Sequence, residues 1–405
     1  MTPGDDPCCQ NTEAPSYSWR ATSYQTILSV AWLSRVSLFV LNKAEIHGLP
    51  RFLELLQSRS NYQDRCRGLV TVSNHVSVVD DPLIWGALPF SFAAFAGYQN
   101  HRWMLGSHDI CFTGVLRSHF FTFGQTLPAH RLAHSPHGGL AQPTLTEAVR
   151  MLSKISVHQS RRNAATDKVG SESVGVSSSP SWPRDCVDPF SDVDPAPAYR
   201  SSPDDNRYYL APSRYACNSY SWIHVFPEGM IHQSPQKYMR YFKWGVARLI
   251  LEPPECPDVV PMFIDGSDQI MNESRGFPRF LPRLGKKVSI TFGRELDVEA
   301  VFGDLRKRWQ QLCEDVRQNE QMTSFQKSNC IDESLGILSD TLLQGAEAID
   351  LRKECTLRIR REVLKLRRDR GYPDEDEAAA LPETWHGPGA DLEDGRAVTN
   401  PEPPT

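Results

Sequence analysis

Four short runs of β-branched and aromatic residues constrain the fold of this chain more than any other feature. They are GLVTVS at 68–73, WIHVF at 222–226, VVPMFI at 259–264 and VSITFG at 288–293. Each run is nearly continuous in apolar residues, which is typical of strands buried on both faces of a sheet. Helical patterns lie between the runs, so the sequence predicts a domain of the α/β class.

Polar residues follow three of these predicted strands at the point where each strand ends. Asn74-His75 follows the first run, Pro227-Glu228-Gly229 follows the second, and Asp265-Gly266 follows the third. In open α/β sheets, ligands bind in the crevice just beyond the carboxyl ends of the strands. We therefore expect these three strand ends to converge on one crevice.

A histidine lies five residues before an aspartate in SNHVSVVDDP, where they are His75 and Asp80. The spacing proves little alone, because about 0.6 such pairs are expected by chance among 12 histidines. A second pair, His386 and Asp391, lies in a tail rich in Gly, Pro and acidic residues. What distinguishes the first pair is its position at a predicted strand end.

The residues Asp81-Pro82 resemble the N-cap and first position of a helix, which would place His75 and Asp80 in the turn before it. In that turn Asp80 can accept a hydrogen bond from one ring nitrogen, leaving the other as a general base. A capping loop whose histidine only binds backbone fits these ten residues equally well.

Two apolar stretches bear on membrane contact. The first, Thr26–Leu41, has 16 residues including Arg35, fewer than the ~20 that a membrane span needs. A buried core helix and an interfacial helix fit it equally. The second, Leu83–Tyr98, is interrupted by Pro89 and flanked by aromatic residues that favour the headgroup region. Together they suggest a helix pair that lies on a bilayer without crossing it.

Composition divides the chain further. We predict a disordered N-terminus at 1–16, a disordered Ser- and Pro-rich insert at 158–218, and an acidic disordered tail at 371–405. The insert separates the two parts of one catalytic domain, 17–157 and 219–300, and helices follow at 301–370. The last of these, Leu351–Arg370, is either packed by its Ile359, Val363 and Leu366 stripe or bound to an anionic membrane.

Charge and motif content exclude several ligand classes. The chain carries a net charge of -5, of which the tail supplies -8, so the remainder is at +3. This mildly basic body suits anionic lipids but is too weakly charged to indicate nucleic acid. The ten cysteines show no zinc-site spacing, and no Gly-rich phosphate loop precedes a helix. We expect neither a metal nor a cofactor.

The motifs, taken in order, resemble those of the glycerolipid acyltransferases. They are Asn74-His75 with Asp80, Arg131 in TLPAHR, Phe226-Pro227-Glu228-Gly229, and Pro261 in VVPMFIDG. Three longer stretches are similar to the branch of that family that remodels cardiolipin: NHVSVVDDP, DICFTGVLRSHFFTFG and YFKWGVARLILE. A fourth stretch, VFPEGMIHQ, resembles the fungal members of that branch. The agreement covers about 17–296 without the insert; the insert and the extended charged C-terminus depart from the pattern.

This resemblance implies a mixed sheet flanked by helices and an enzyme that transfers acyl chains. His75 and Asp80 would be catalytic, His75 deprotonating the free hydroxyl of a lysophospholipid. Asn74, Arg131, Pro261 and the Phe226-Pro227-Glu228-Gly229 motif would bind substrate, with the Arg131 guanidinium donating to phosphate oxygens and the Gly229 amide facing the acceptor. Ser77 has no oxyanion-hole signature near it, so we expect it to be structural.

The resemblance further implies a CoA-independent transacylase that uses cardiolipin, monolysocardiolipin and phosphatidylcholine. It would be monotopic on the outer and inner mitochondrial membranes, facing the intermembrane space. An acyl-CoA-dependent lysophosphatidate-type acyltransferase shares every motif quoted above and is the main alternative. A catalytically idle membrane scaffold is a further alternative, which the presence of His75, Asp80 and Glu228 disfavours.

Overall fold

The computed structural model describes residues 13–154, 198–200, 208–323 and 335–386. Three segments lie outside these ranges: the first twelve residues, most of the predicted insert and the tail beyond 386. Asp391, the aspartate of the second histidine-aspartate pair, is in that tail.

A seven-stranded mixed sheet forms the centre of the molecule, in the order β1-β9-β8-β2-β7-β3-β4. Five neighbouring strands run parallel to one another, namely β8, β2, β7, β3 and β4. Strand β9 is antiparallel to β8 and parallel to β1. A separate antiparallel pair is formed by β5 and β6. The strands are β1 Lys43–His47, β2 Leu69–Ser73, β3 Trp103–Ser107, β4 Thr126–Ala129, β5 Ala198–Arg200, β6 Tyr208–Leu210, β7 Trp222–Val225, β8 Asp258–Asp265 and β9 Lys287–Phe292.

The four predicted strands correspond to β2, β7, β8 and β9, and the α/β class with a mixed sheet flanked by helices is confirmed. β2 and β7 are buried along their whole length because apolar clusters cover both faces of the sheet. Continuous rather than alternating apolar residues are what such doubly covered strands require.

Helices cover both faces of the sheet. They are α1 Tyr17–Val36, α2 Leu49–Ser58, α3 Asp80–Gly86, α4 Phe90–Phe95, α5 His108–Cys111, α6 Val115–Phe123, α7 Pro143–Met151, α8 Gly245–Leu251, α9 Ser267–Ile270, α10 Val298–Thr323, α11 Asp340–Gln344, α12 Ala346–Asp369 and α13 Pro382–His386. One cluster combines apolar residues of α7, α8, α10 and α12, and the other combines those of α2 and α3.

The basic helix α12 is packed on the domain, the first of the two alternatives that its sequence left open. Ile359 and Val363 are fully buried, as the apolar stripe predicted. Arg360 and Arg367 are buried too, because their guanidinium groups donate to backbone carbonyls of Met239, Arg240, Gln236 and Lys237. These arginines therefore tie the helix to the segment that follows β7.

Helix α1 continues through a short π-helical turn, Ser37–Leu41, and leaves much of its apolar surface exposed. The 16-residue stretch that the sequence predicted to be too short for a membrane span belongs to a longer helical segment, Tyr17–Leu41. Within the described residues, this segment is the one whose length and apolar composition would suffice to cross a membrane. Its buried side packs on α3, α4 and α6, while Trp32, Leu33 and Val40 are exposed by 57%, 59% and 74%. This exposure favours the interfacial interpretation over the buried core helix.

The described parts of the insert and of the tail are more ordered than composition predicted. Structure resumes well before residue 218, since Ala211 and Cys217 are buried and Ser213 donates to the buried carboxylate of Glu147. In the tail, Glu375 forms ion pairs with Arg360 and Arg367. Low hydrophobicity does not exclude order where specific polar partners are available.

Candidate active site

Three polar strand ends meet at one edge of the sheet, as the sequence predicted. β2 lies between β7 and β8, with Val72 opposite both Val225 and Pro261. β7 ends at Val225, opposite Val72, and β2 ends one residue later, whereas β8 continues for three residues beyond Met262, the partner of Ser73. This edge brings together the segments that begin at Asn74, Phe226 and Gly266.

His75 and Asp80 are in direct contact at this edge. The Nδ1 atom of His75 lies 2.9 Å from Oδ2 of Asp80. Asp80 is fully buried, whereas the His75 side chain is 21% exposed. A carboxylate accepts from Nδ1–H, which fixes the ring tautomer and leaves Nε2 able to take a proton. The arrangement is that of a general base with an orienting carboxylate.

Four donors hold the carboxylate of Asp80. Besides His75, the backbone amides of Val76 and Ser77 donate to Oδ2 at 2.6 and 2.8 Å, and the Ser267 hydroxyl donates to Oδ1 at 2.5 Å. Hydrogen bonds to both oxygens prevent the carboxylate from rotating. Sequence reasoning missed Ser267, although its position just after the Asp265-Gly266 strand end was a usable signal.

The helix after the histidine begins earlier than predicted. α3 starts at Asp80, whereas the sequence suggested Asp81 as a cap with Asp80 in the preceding turn. The Asp80 carboxylate points back to the amides of Val76 and Ser77, and Asp81 turns away to pair with Arg102 and to accept from Trp85. Ser77 is fully buried, as a structural role requires.

Glu228 holds the backbone of His75 through a hydrogen bond. Its two carboxylate oxygens accept the backbone amides of His75 at 2.8 Å and Arg240 at 2.9 Å. Burial raises the pKa of Glu228 to about 7, against the opposing effect of these two hydrogen bonds. The carboxylate that the resemblance assigned to substrate is thus bonded to backbone, and it positions His75.

The other residues of the motif shape the same turn. The ring of Phe226 stacks on the ring of His75 with centroids 4.4 Å apart. Gly229 has a φ of +67°, which favours glycine, and its amide donates to the Phe226 carbonyl at 3.0 Å. That amide closes the turn instead of facing an acceptor, and the carbonyl of buried Pro227 accepts from Lys243.

Asn74, just after β2, and Pro261, within β8, are bound to the sheet rather than facing the crevice. The Asn74 side chain bonds to both the amide and the carbonyl of Ile264, at 2.8 and 2.9 Å. It thereby docks the start of the histidine loop on β8. Pro261 is buried within β8, opposite Val72. Both residues position the catalytic loop through the backbone.

Arg131 follows β4, three strands from β2, so about 14 Å separates the two strand ends. Its guanidinium is paired with Asp109 through Nε, at 3.0 Å, and Nη2. Burial alone would raise the pKa of Asp109, but hydrogen bonds from Arg131 and Ser107 outweigh it and lower that pKa to about 2. A phosphate at Arg131 would therefore share the guanidinium with a firmly ionised carboxylate.

An apolar cavity of about 230 Å³ lies beside the catalytic loop. Val78 and Asp81 line it on the loop side, and Arg102, which sequence reasoning also missed, lines it together with its partner Asp81. The remaining wall is contributed by α1, α3, α4 and α6, through residues such as Ile27, Val30, Trp85, Phe92, Phe120 and Phe121. The cavity is large enough for part of a hydrocarbon chain, and it reaches the loop that carries His75 at Val78 and Asp81.

Comparison with known proteins gives several relatives, two of which are described here together with one solved structure. The chain is 32% identical to tafazzin of Saccharomyces cerevisiae over 375 residues, covering 91% of this chain and 83% of the yeast protein. It is 29% identical to tafazzin of Drosophila melanogaster over 73% of this chain and 56% of the fly protein. The solved structure is the 1-acyl-sn-glycerophosphate acyltransferase PlsC of Thermotoga maritima, at 14% identity, with a TM-score of 0.32 over 75% of this chain and 81% of that one. No protein-family model matches the chain.

Proposed function

The chain belongs to the tafazzin family and is a phospholipid acyltransferase, and from that premise we propose that it is a CoA-independent transacylase that remodels the acyl chains of cardiolipin. Its substrates are lipids; the specific pair we propose is phosphatidylcholine as donor and monolysocardiolipin as acceptor. The observation that carries the proposal is the His75–Asp80 contact at a strand-end crevice beside an apolar cavity.

The reaction that this dyad supports is an ester exchange. His75 Nε2 takes the proton of the acceptor hydroxyl as that oxygen attacks the acyl carbonyl carbon of the donor. The new C–O bond forms, the bond to the donor glycerol oxygen breaks, and His75 returns the proton to that oxygen. The donor leaves as a lysophospholipid, so the same residues serve both directions and no nucleotide is consumed.

The apolar cavity supports lipid donors and acceptors at the same site. We assign it to an acyl chain, since its wall is mostly aliphatic and aromatic and it adjoins the loop of His75 at Val78. Helix α1 forms part of this wall with Ile27 and Val30, and it exposes Trp32 and Leu33 to the outside. An acyl chain drawn from a bilayer would thus enter along this helix and reach the loop of His75 at Val78.

The predicted substrate contacts divide into two groups. We keep Arg131 as a phosphate ligand, which would exchange part of its pairing with Asp109 for a phosphate. For Asn74, Glu228, Gly229 and Pro261 we propose positioning roles, because their polar groups bond to the protein or lie within β8. Phe226 would hold the His75 ring by stacking.

We further propose that the enzyme is monotopic on mitochondrial membranes facing the intermembrane space. Support for a membrane position comes from the exposed apolar side of α1 and from Phe95, 85% exposed on α4. Both helices line the cavity, so the side chains that would meet lipid belong to the same elements that would hold an acyl chain.

The test is acyl transfer by the purified full chain with labelled phosphatidylcholine and monolysocardiolipin in vesicles free of CoA. We expect label to pass to cardiolipin and back, with both directions lost in His75→Ala. His386→Ala, which removes the other histidine of the same spacing, should retain wild-type rates. Strict dependence on added acyl-CoA would replace this proposal with the acyl-CoA-dependent acyltransferase.

A further inference from the structure

The loop at 271–286, which joins α9 to β9, exposes a group of large apolar side chains that the site does not use. Phe277 is 91% exposed, Phe280 74%, Leu284 57% and Leu281 47%. Single exposed apolar residues are ordinary on protein surfaces, but four within eight residues form a patch. A patch of this kind needs a partner or a membrane.

The same loop is strongly basic. Arg275, Arg279, Arg283 and Lys286 alternate with its apolar residues, and Glu273 is its one acidic residue. Three guanidinium groups donate to carbonyl oxygens of the loop itself, Arg275 to Arg279, Arg279 to Glu273 and Arg283 to Gly276. Because carbonyl oxygens carry no formal charge, these bonds fix the shape of the loop without neutralising its cations.

The loop is held against the exposed end of the first helix. The Gly285 amide donates to the Leu41 carbonyl at 2.8 Å, and the Lys286 amide donates to the Asn42 side chain at 2.9 Å. Phe39, Val40 and Leu41 are exposed by 47%, 74% and 40% at that point. The apolar residues of the loop thus adjoin a second apolar segment, and together they enlarge the surface available to lipid.

The other end of the loop is joined to the catalytic residues. Ser267, four residues before the loop, donates to Asp80, and Gln233 donates to the carbonyls of both Val76 and Met271. The loop leaves the sheet at the carboxyl end of β8, on the same edge as the histidine loop. A partner bound to this loop would therefore sit beside the crevice.

We propose that the 271–286 loop is a membrane-insertion element that places Phe277, Phe280, Leu281 and Leu284 among acyl chains while its arginines meet anionic headgroups. Apolar side chains ringed by cations match the boundary between headgroups and hydrocarbon in an anionic bilayer. The inference rests on the proposed function in one respect, the assumption that the substrates of the crevice are lipids of a bilayer. The loop would then be the contact that orients the crevice towards that bilayer.

Binding to vesicles tests the loop directly. Phe277→Ser, Phe280→Ser and the double variant are to be compared with the wild-type chain by flotation with vesicles of phosphatidylcholine and phosphatidylglycerol. Withdrawing one inserted ring should lower the partition coefficient about tenfold, and withdrawing both about 100-fold. Ile337→Ser, at a residue 51% exposed beside α11, is the matched control and should bind like the wild type.

A charge variant separates the two parts of the proposal. Arg279→Gln should weaken binding to vesicles that contain phosphatidylglycerol and leave binding to pure phosphatidylcholine unchanged. Wild-type partitioning of the double Phe variant would overturn the proposal. A loss of binding in Ile337→Ser as large as that in the loop variants would also overturn it. The same holds if the wild-type chain does not bind vesicles but forms a dimer that the loop substitutions dissociate, because the patch would then be the contact with a second copy of the chain.

Activity measurements keep this proposal distinct from the proposed function. With substrates dispersed in detergent micelles, the double Phe variant should transfer acyl chains at the wild-type rate, because its dyad is intact. With vesicles its rate should fall in parallel with binding. If the wild-type chain transfers nothing in either form, the proposed function fails, and the flotation result still decides whether the loop inserts.

Discussion

The strongest test of the assigned geometry is Glu228→Gln, which removes a charge but preserves the size of the side chain. Glu228 is 2% exposed, and burial raises its pKa to about 7 from an ordinary 4.5. A carboxyl group whose pKa is raised in the folded state binds more protons there than in the unfolded chain. Its contribution to stability is complete below the unfolded pKa and is lost as pH rises through the folded pKa.

The size of this loss follows from the shift. Each pKa unit corresponds to about 1.4 kcal/mol, so the 2.5 units between 4.5 and 7 give about 3 kcal/mol. The free energy of unfolding of the wild-type chain should fall by about this amount, relative to Glu228→Gln, between about pH 4 and about pH 8. The variant should lack this component because glutamine does not titrate.

The assay is urea unfolding at both pH values, followed by tryptophan fluorescence. Glu147→Gln is the matched control, because burial also raises the pKa of Glu147 and its carboxylate likewise accepts a backbone amide, that of Ser213. Both variants should flatten the dependence on pH. Only Glu228→Gln should slow acyl transfer, since the amide group of glutamine would face the amide of His75 or of Arg240 as a second donor.

We expect that mismatch to cost about 1–3 kcal/mol where it disturbs His75, which corresponds to a fall in rate on the order of 10- to 100-fold. An unchanged pH slope in Glu228→Gln would refute the raised pKa. Wild-type transfer by this variant would refute the positioning role of Glu228, whatever the stability data show.

Three further outcomes follow from the same contacts. Asp80→Asn should lower the transfer rate about 10²- to 10⁴-fold, because it allows the wrong tautomer of His75. Ser267→Ala should lower the rate less, since three of the four donors to Asp80 remain, and equal losses in the two variants would contradict this ranking. Arg131→Ala should raise KM for the lysophospholipid more than Arg131→Lys, because lysine keeps the charge without the forked donors, and identical kinetics would remove the residue from the site. Replacing residues 160–196 with a short Gly/Ser bridge should leave solubility and transfer intact, because this Ser- and Pro-rich sequence offers little apolar surface for a core; an insoluble product would disprove it.

The sequence predicted the part of the sheet that carries the site. β2, β7, β8 and β9 could be found because strands covered on both faces have continuous apolar runs. β1 and β4 were missed for the opposite reason. β1 reads KAEIH on the edge of the sheet, and β4 is four residues long with a proline, so neither shows the apolar pattern.

Within the site, the contact between His75 and Asp80 could be predicted because both residues lie in one short segment. The partners of Glu228 could not, since a backbone amide has no signature in sequence and Arg240 is brought close by tertiary structure. The same applies to Ser267, which is 187 residues from Asp80 along the chain. Local motifs thus identify the candidate reacting groups, whereas the groups that hold them are set by the fold.

The ordered beginning of the tail shows how far this support extends. Glu375 accepts the amide of Met239 at 2.7 Å and pairs with Arg360 at 2.5 Å. The next amide along the chain, that of Arg240, donates to Glu228. A carboxylate from the tail and a carboxylate from the motif after β7 therefore bind adjacent peptide groups of one segment. Because removing one partner of a buried ion pair is strongly destabilising, we expect loss of Glu375 or Arg360 to loosen this segment. Glu375, which composition assigned to a disordered tail, thus belongs to the framework around the segment that contacts Glu228.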